Sequence, residues 1–177
     1  MPPLRSAAVQ RPDDIVNAMF VAIANHRIGL VRARSFAGLM SLYESSYLRL
    51  RRAFGDPASL PDHSLSSART DLPLHVRVLT RAPYTTDLHL TYWFAGDPSP
   101  VADPDLVVRV YHDARLAEAC SCSARPHHRA LSRYAREART EVERRWLMNV
   151  MLNKWLEFCL DAGHGAGRRP RGVLVRA

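Results

Sequence analysis

The stretch VVRVYHDARLAEAC, residues 107–120, gathers Arg109, Tyr111, His112, Asp113, Arg115 and Glu118 into a run whose other residues suit a strand. An imidazole beside carboxylates is the equipment of general acid–base chemistry: His112 would move the proton, and Asp113 or Glu118 would orient it. Spacing sets the condition. Neighbours on a strand point to opposite faces, so Asp113 cannot serve His112 on a continuous strand. Glu118 shares the face of His112 if the strand runs through. If the chain turns at HDAR instead, the two approach only across a hairpin. The plainer alternative is a strand end whose His and Asp satisfy backbone groups, and the pattern favours it.

Metal chemistry is the second option. Cys120, Cys122, His127 and His128 sit close together, and on a strand the two cysteines share a face. A C-x-C followed by adjacent histidines is not the paired-ligand spacing of a zinc site, and free thiols commonly pack as small core residues. The sequence holds no G-x-S-x-G elbow, P-loop or G-x-G-x-x-G fingerprint. No metal and no cofactor are expected.

The elements that position these residues follow from periodicity. Phe36, Leu39, Met40, Tyr43, Tyr47, Leu50 and Phe54 recur at helical spacing, with Ser35 as a cap and Gly55 and Pro57 as the stop. The proline-punctuated stretch 54–73 reads as a long surface connection. From Leu74 the pattern alternates with period two: Leu74, Val76 and Val78 oppose His75, Arg77 and Leu79. Thr86, Leu88, Leu90, Tyr92 and Phe94 then oppose Asp87, His89, Thr91 and Trp93, which makes a hairpin about RAPY. AGDPSPVADPD reads as a loop, followed by strands at Leu106–Tyr111 and Leu116–Cys122. A closing helix, from about Thr140 to Ala162, is apolar nearly all round and ends at Gly163 and Gly165. Without helical crossovers the sheet is antiparallel. The expected fold is α+β: a long N-terminal helix, about four antiparallel strands, and a C-terminal helix packed on one face.

Residues 1–35 read as an N-terminal extension, either poorly ordered, which the pattern favours, or with a short helix in RPDDIVNAMFVAIANHRI; 36–165 read as a single domain, and 166–177 as a basic tail in which GVLVR adds a strand. Apolar residues at 47% and charged residues at 24% are globular values, in a chain of 177 residues able to bury a core. The apolar runs are too short to span a membrane, and no secretory signal is evident. Three cysteines, an odd and sparse set, argue for a reducing cytoplasm. The net charge of +8 raises nucleic-acid binding through Arg49, Arg51, Arg52 and the arginines around Arg125 to Arg145. Against it, Lys154 is the only lysine among 25 basic residues, which looks like genome composition, and no aromatic-interleaved basic motif is present. The 56–123 stretch is net acidic between basic flanks, a complementarity internal to the fold.

VRVYHDARLAEAC resembles the signature of the YqiB-like family of small bacterial proteins of uncharacterised function. The resemblance extends to YTT (Tyr84 to Thr86), LRLRR in the first helix, and WLEFCL with Asn149 in the last. It covers Phe36 to Gly163 and marks Arg109, Tyr111, His112, Asp113, Ala114, Ala117, Glu118, Cys120, Trp155 and Cys159. Residues 1 to 34 extend beyond the usual family start, and ARTEVERRW is more basic than the family pattern. The resemblance implies a bacterial cytoplasmic setting but no reaction, cofactor or substrate. A sheet covered on one face leaves the other free, and Trp93, Arg109 and Tyr111 share the parity of its outward residues. An exposed Trp, Tyr and Arg group is the composition of a binding hot spot. The expectation is a small protein-binding or adaptor module with an unidentified protein partner, a homodimer being one such arrangement. The acid–base enzyme and the nucleic-acid binder are the alternatives.

Overall fold

Helix α1 spans Phe36–Phe54 because its apolar stripe has a defined start and stop. The Ser35 hydroxyl accepts from the Gly38 amide at 3.1 Å, and Gly55, at φ 88°, closes the helix with its N–H on the Arg51 carbonyl. The computed structural model describes residues 35–68, 72–96, 98–122, 140–165 and 171–172. The helix weighed near residues 12–28 therefore lies outside the described residues. Leu39, Tyr43, Tyr47, Leu50 and Phe54 are buried as the periodicity predicts, Met40 is partly buried, and Phe36 is 69% exposed; Leu42, outside the predicted stripe, is buried as well. Periodicity assigns a residue to a face, not to a depth along the axis, and Phe36 sits in the first turn.

A 3-10 turn, Pro57–Ser59, capped by Asp56, leads into β1, His63–Ser66. β2 is Leu74–Arg81, β3 Thr85–Phe94, β4 Val101–Tyr111 and β5 Leu116–Cys122. Helix α2 is Glu141–Asp161, and β6 is the two-residue Arg171–Gly172. The sheet order is β5-β4-β3-β2-β1-β6, with every pairing antiparallel. Six strands replace the expected four or so. β1 lies inside the stretch read as a loop, since HSLS has little β propensity and is a strand through its pairing to β2. β4 starts at Val101 rather than Leu106: despite Pro104, Ala102 and Val101 pair with Trp93 and Phe94. The tail contributes β6 at Arg171–Gly172, at the near end of the GVLVR segment expected to form it.

Even-numbered side chains of β2–β4, among them Leu74, Val76, Leu88, Leu90, Tyr92, Leu106, Val108 and Val110, are buried against the helices. Odd-numbered ones, including Arg77, His89, Trp93 and Arg109, form the opposite face. In β5 the parity reverses, because Ala117 and Ala119 pair with Val110 and Val108 and both are buried. α2 opens with a capping box, the Thr140 side chain on the Glu143 amide and the Glu143 carboxylate on the Thr140 amide. Trp155, Leu152, Leu156 and Cys159 bury fully in the main core. A second cluster, Leu39, Leu42, Tyr43, Trp146 and Val150, joins the two helices and receives Leu116 from the edge strand β5. The helix pair therefore covers one sheet face and meets β5 at its edge. Among the described residues no helix is long and apolar enough to cross a membrane.

Candidate functional site

The strand carrying the charged strip ends at Tyr111, four residues turn, and β5 resumes at Leu116, which pairs with Tyr111. Arg115 occupies the left-handed region at φ 55°, the usual last position of such a hairpin loop. The turn sends the polar side chains to different places. The His112 ring meets the Thr86 hydroxyl at 2.9 Å through Nε2, and the His112 amide donates to the Tyr84 carbonyl. Asp113 accepts from the Ala114 amide at 2.8 Å and stays exposed in the turn. Neither carboxylate is brought to the His112 imidazole. Arg109 forks onto Asp87 of β3 with bonds of 2.7 and 2.8 Å, the bidentate geometry that favours arginine over lysine.

Glu118 gathers the most contacts. Its two oxygens accept from three donors: Tyr43 of α1 at 2.7 Å, Tyr111 of β4 at 2.7 Å and Arg145 of α2 at 3.0 Å. Its side chain is only 11% exposed, so a carboxylate stands here because three donors replace its water. One helical turn beyond Arg145, the buried Asn149 continues the attachment. Its Oδ1 accepts from the Ala119 amide at 2.8 Å and its Nδ2 donates to the Arg145 carbonyl. The open edge of β5, where Ala119 would otherwise present an unpaired N–H, is thus closed by a side chain. Two adjacent strand residues are bound by two α2 residues one turn apart, with Tyr43 adding α1.

Burial first, and then the bond to Glu118, push the Tyr43 phenol up to about 12. Tyr111 is raised for the same two reasons. Arg145 is held charged, chiefly by its bond to Glu141 and then by Tyr43 and Glu118. Cys120 has its thiol pushed up by burial and by Glu118, opposite to what a reactive thiolate needs. The arrangement ties elements together through hydroxyls kept protonated. Among the described residues no group of three or more His, Cys, Asp or Glu could hold a metal. His127 and His128 lie outside them, as do the arginines from Arg125 to Arg139.

Among the described residues, most of the arginines proposed for phosphate contact are engaged. Arg49 pairs with Glu157 at 3.7 Å, Arg51 lies over the Tyr47 ring, and Arg144 and Arg145 both bind Glu141. On the open face Trp93 is 46% exposed and meets His75 edge-on at 6.4 Å. Arg109 is on the same face, while Tyr111 is half-buried through its bond to Glu118. Sequence parity found Trp93 and Arg109. It missed Tyr43, Arg145, Asn149, Thr86 and Asp87 as partners, and only the resemblance had singled out Asn149.

The Arg109–Asp87 pair has a pH consequence. The Arg109 bond holds the Asp87 carboxyl below its ordinary range. A depressed carboxyl stabilises the fold above its unfolded pKa and loses that contribution as pH falls through the folded value. Arg109 is 44% exposed, so Arg109→Ala should cost less than about 1 kcal/mol at neutral pH. Urea titrations at stepped pH should show this difference shrinking towards zero in acid.

The model of a family described as a protein of unknown function, DUF1249, matches residues 49–165. The uncharacterized protein YqiB of Escherichia coli strain K12 is 26% identical over 138 residues, covering 74% of this chain and 91% of the relative. The YqiB proteins of the O6:H1 and O157:H7 strains match to the same extent. No solved structure matches. The matched span runs from the second half of α1 through the sheet to the end of α2 and contains the whole Glu118 attachment apart from Tyr43, and the chain belongs to the DUF1249 family.

Proposed function

We propose that this chain is a small cytoplasmic binding or adaptor module that docks a protein partner on the open face of its sheet. The observation that carries the reading is the half-exposed Trp93, set among His75, Thr91 and Leu65 on a face that no described helix covers. A large aromatic ring in water offers binding energy that the fold itself leaves unused. Two acidic side chains on that face are paired, Asp87 with Arg109 and Asp105 with His89. Arg109 and Tyr111, the other two members of the expected hot spot, lie at the opposite end of β3 from Trp93, paired with Asp87 and Thr85, and their side chains are held by Asp87 and Glu118. A second copy of the chain is one partner that fits.

The test is quantitative affinity capture from the native cytoplasm with wild type, Trp93→Glu and Leu48→Glu. Leu48 is also exposed but lies on α1, away from the sheet. At least one partner should fall about tenfold or more with Trp93→Glu, roughly 1.4 kcal/mol of binding, and persist with Leu48→Glu. Identical partner lists for all three proteins would contradict the reading.

A further inference from the structure

On the open face, His63 of β1 is the register partner of Arg77 in β2, and Arg77 is that of His89 in β3. Side chains directly opposed on antiparallel strands have Cβ atoms about 5 Å apart. The row therefore sets a guanidinium between two imidazoles across three strands. It lines a groove of about 350 Å³ together with Leu65, His75, Thr91 and Trp93, a size at the small end of ligand pockets. Counter-charge is scarce. Asp105 is bound to His89 and Asp87 to Arg109, and the exposed Arg77 has no ion-pair partner among the described residues. An anion held over the row supplies the counter-charge that Arg77 lacks.

We propose that this groove is a binding site for a phosphomonoester carried on a planar ring, of the size of a nucleoside monophosphate. Arg77 is the charge anchor. His63 and His75 donate to the remaining phosphate oxygens, and the indole of Trp93 receives the ring. A phosphomonoester offers more acceptor oxygens than a carboxylate, which suits three nitrogen-bearing side chains converging from two strands. Trp93 meets His75 at an interplanar angle of 89°, so His75 does not cover the indole face by stacking. Burial keeps the His75 imidazole below its ordinary range, which leaves Arg77 as the standing cation until an anion arrives. The site goes beyond the partner-docking reading; it shares Trp93 with that reading but is argued from Arg77 and the histidines beside it.

The test titrates the full chain at low salt with uridine 5′-monophosphate, inorganic phosphate and uridine. Tryptophan fluorescence and histidine proton resonances are followed. Uridine 5′-monophosphate should saturate, quench Trp93 and shift His63 and His75, with phosphate about tenfold weaker and uridine weaker still. Arg77→Gln should raise the dissociation constant about tenfold or more without changing the melting temperature. Trp93→Ala should bring the nucleotide down to the affinity of phosphate. Uridine binding as well as its monophosphate, no saturation by either phosphate-bearing probe, or an Arg77→Gln protein that binds as wild type would overturn the site. Each of those results leaves the Trp93→Glu capture experiment unaffected, so the two readings fail separately.

Discussion

Glu118→Ala is expected to destabilise the fold by about 3 kcal/mol, the cost of breaking a buried charged network by removing one partner. Most of this comes from what is left behind. Tyr43 is buried, and its hydroxyl would keep no carboxylate to donate to. Tyr111 loses its acceptor too. Arg145 contributes less, because it is 45% exposed and keeps Glu141. For a chain of this size the melting temperature should fall by roughly 6–12 °C. Glu118→Gln retains one carbonyl acceptor and should cost about half as much. Urea denaturation of the three proteins checks both values, and an alanine variant as stable as wild type would remove the network from the account.

The second large effect is at Trp155. The residue is fully buried in the main core and packs edge-on against Tyr92 at 5.8 Å. Trp155→Ala removes the largest side chain of the helix–sheet interface and should cost about 4 kcal/mol, much of the total stability of an ordinary domain. Trp155→Phe separates two contributions. The indole N–H has no hydrogen-bond partner among the described residues, so phenylalanine gives up no bond seen there and relieves an unsatisfied donor while leaving a modest void. It should cost only about 1 kcal/mol. A phenylalanine variant as unstable as the alanine variant would mean that the N–H is paired in solution.

Much of this architecture was legible from spacing alone. Helical recurrence placed α1 and α2 to within a residue or two, since both carry caps and stops that the side chains announce. Alternation assigned the faces of β2 and β3 correctly. β1 escaped because a Ser-rich tetrapeptide carries no periodic signal and becomes a strand by pairing to β2. The start of β4 escaped because Pro104 and its flanking aspartates look like a loop.

The polar strip shows a different limit. Parity placed Arg109 on the outer face and foresaw the bend at His112, but it could not supply partners. Glu118 shares a cross-strand pair with Arg109, yet its carboxylate is met by Tyr43, 75 residues away in the chain. That contact exists because the helix pair meets the edge of β5, which local spacing does not encode. The charges that looked like an acid–base pair are distributed over separate attachments: His112 to Thr86, Arg109 to Asp87, and Glu118 to both helices. Of the conspicuous residues of the strip, Glu118 and Tyr111 belong to the attachment between sheet and helices, whereas Arg109 and His112 are tied within the sheet.

The most direct measurement of that central claim is a double-mutant cycle on stability between Tyr43→Phe and Glu118→Ala. If Glu118 holds α1 to the edge of the sheet, the two substitutions share one buried bond, and the double variant should be more stable than additivity allows by about 1–2 kcal/mol. Effects that add to within about 0.5 kcal/mol would show that the two residues act independently, and would contradict the attachment of the helix pair through the charged strip.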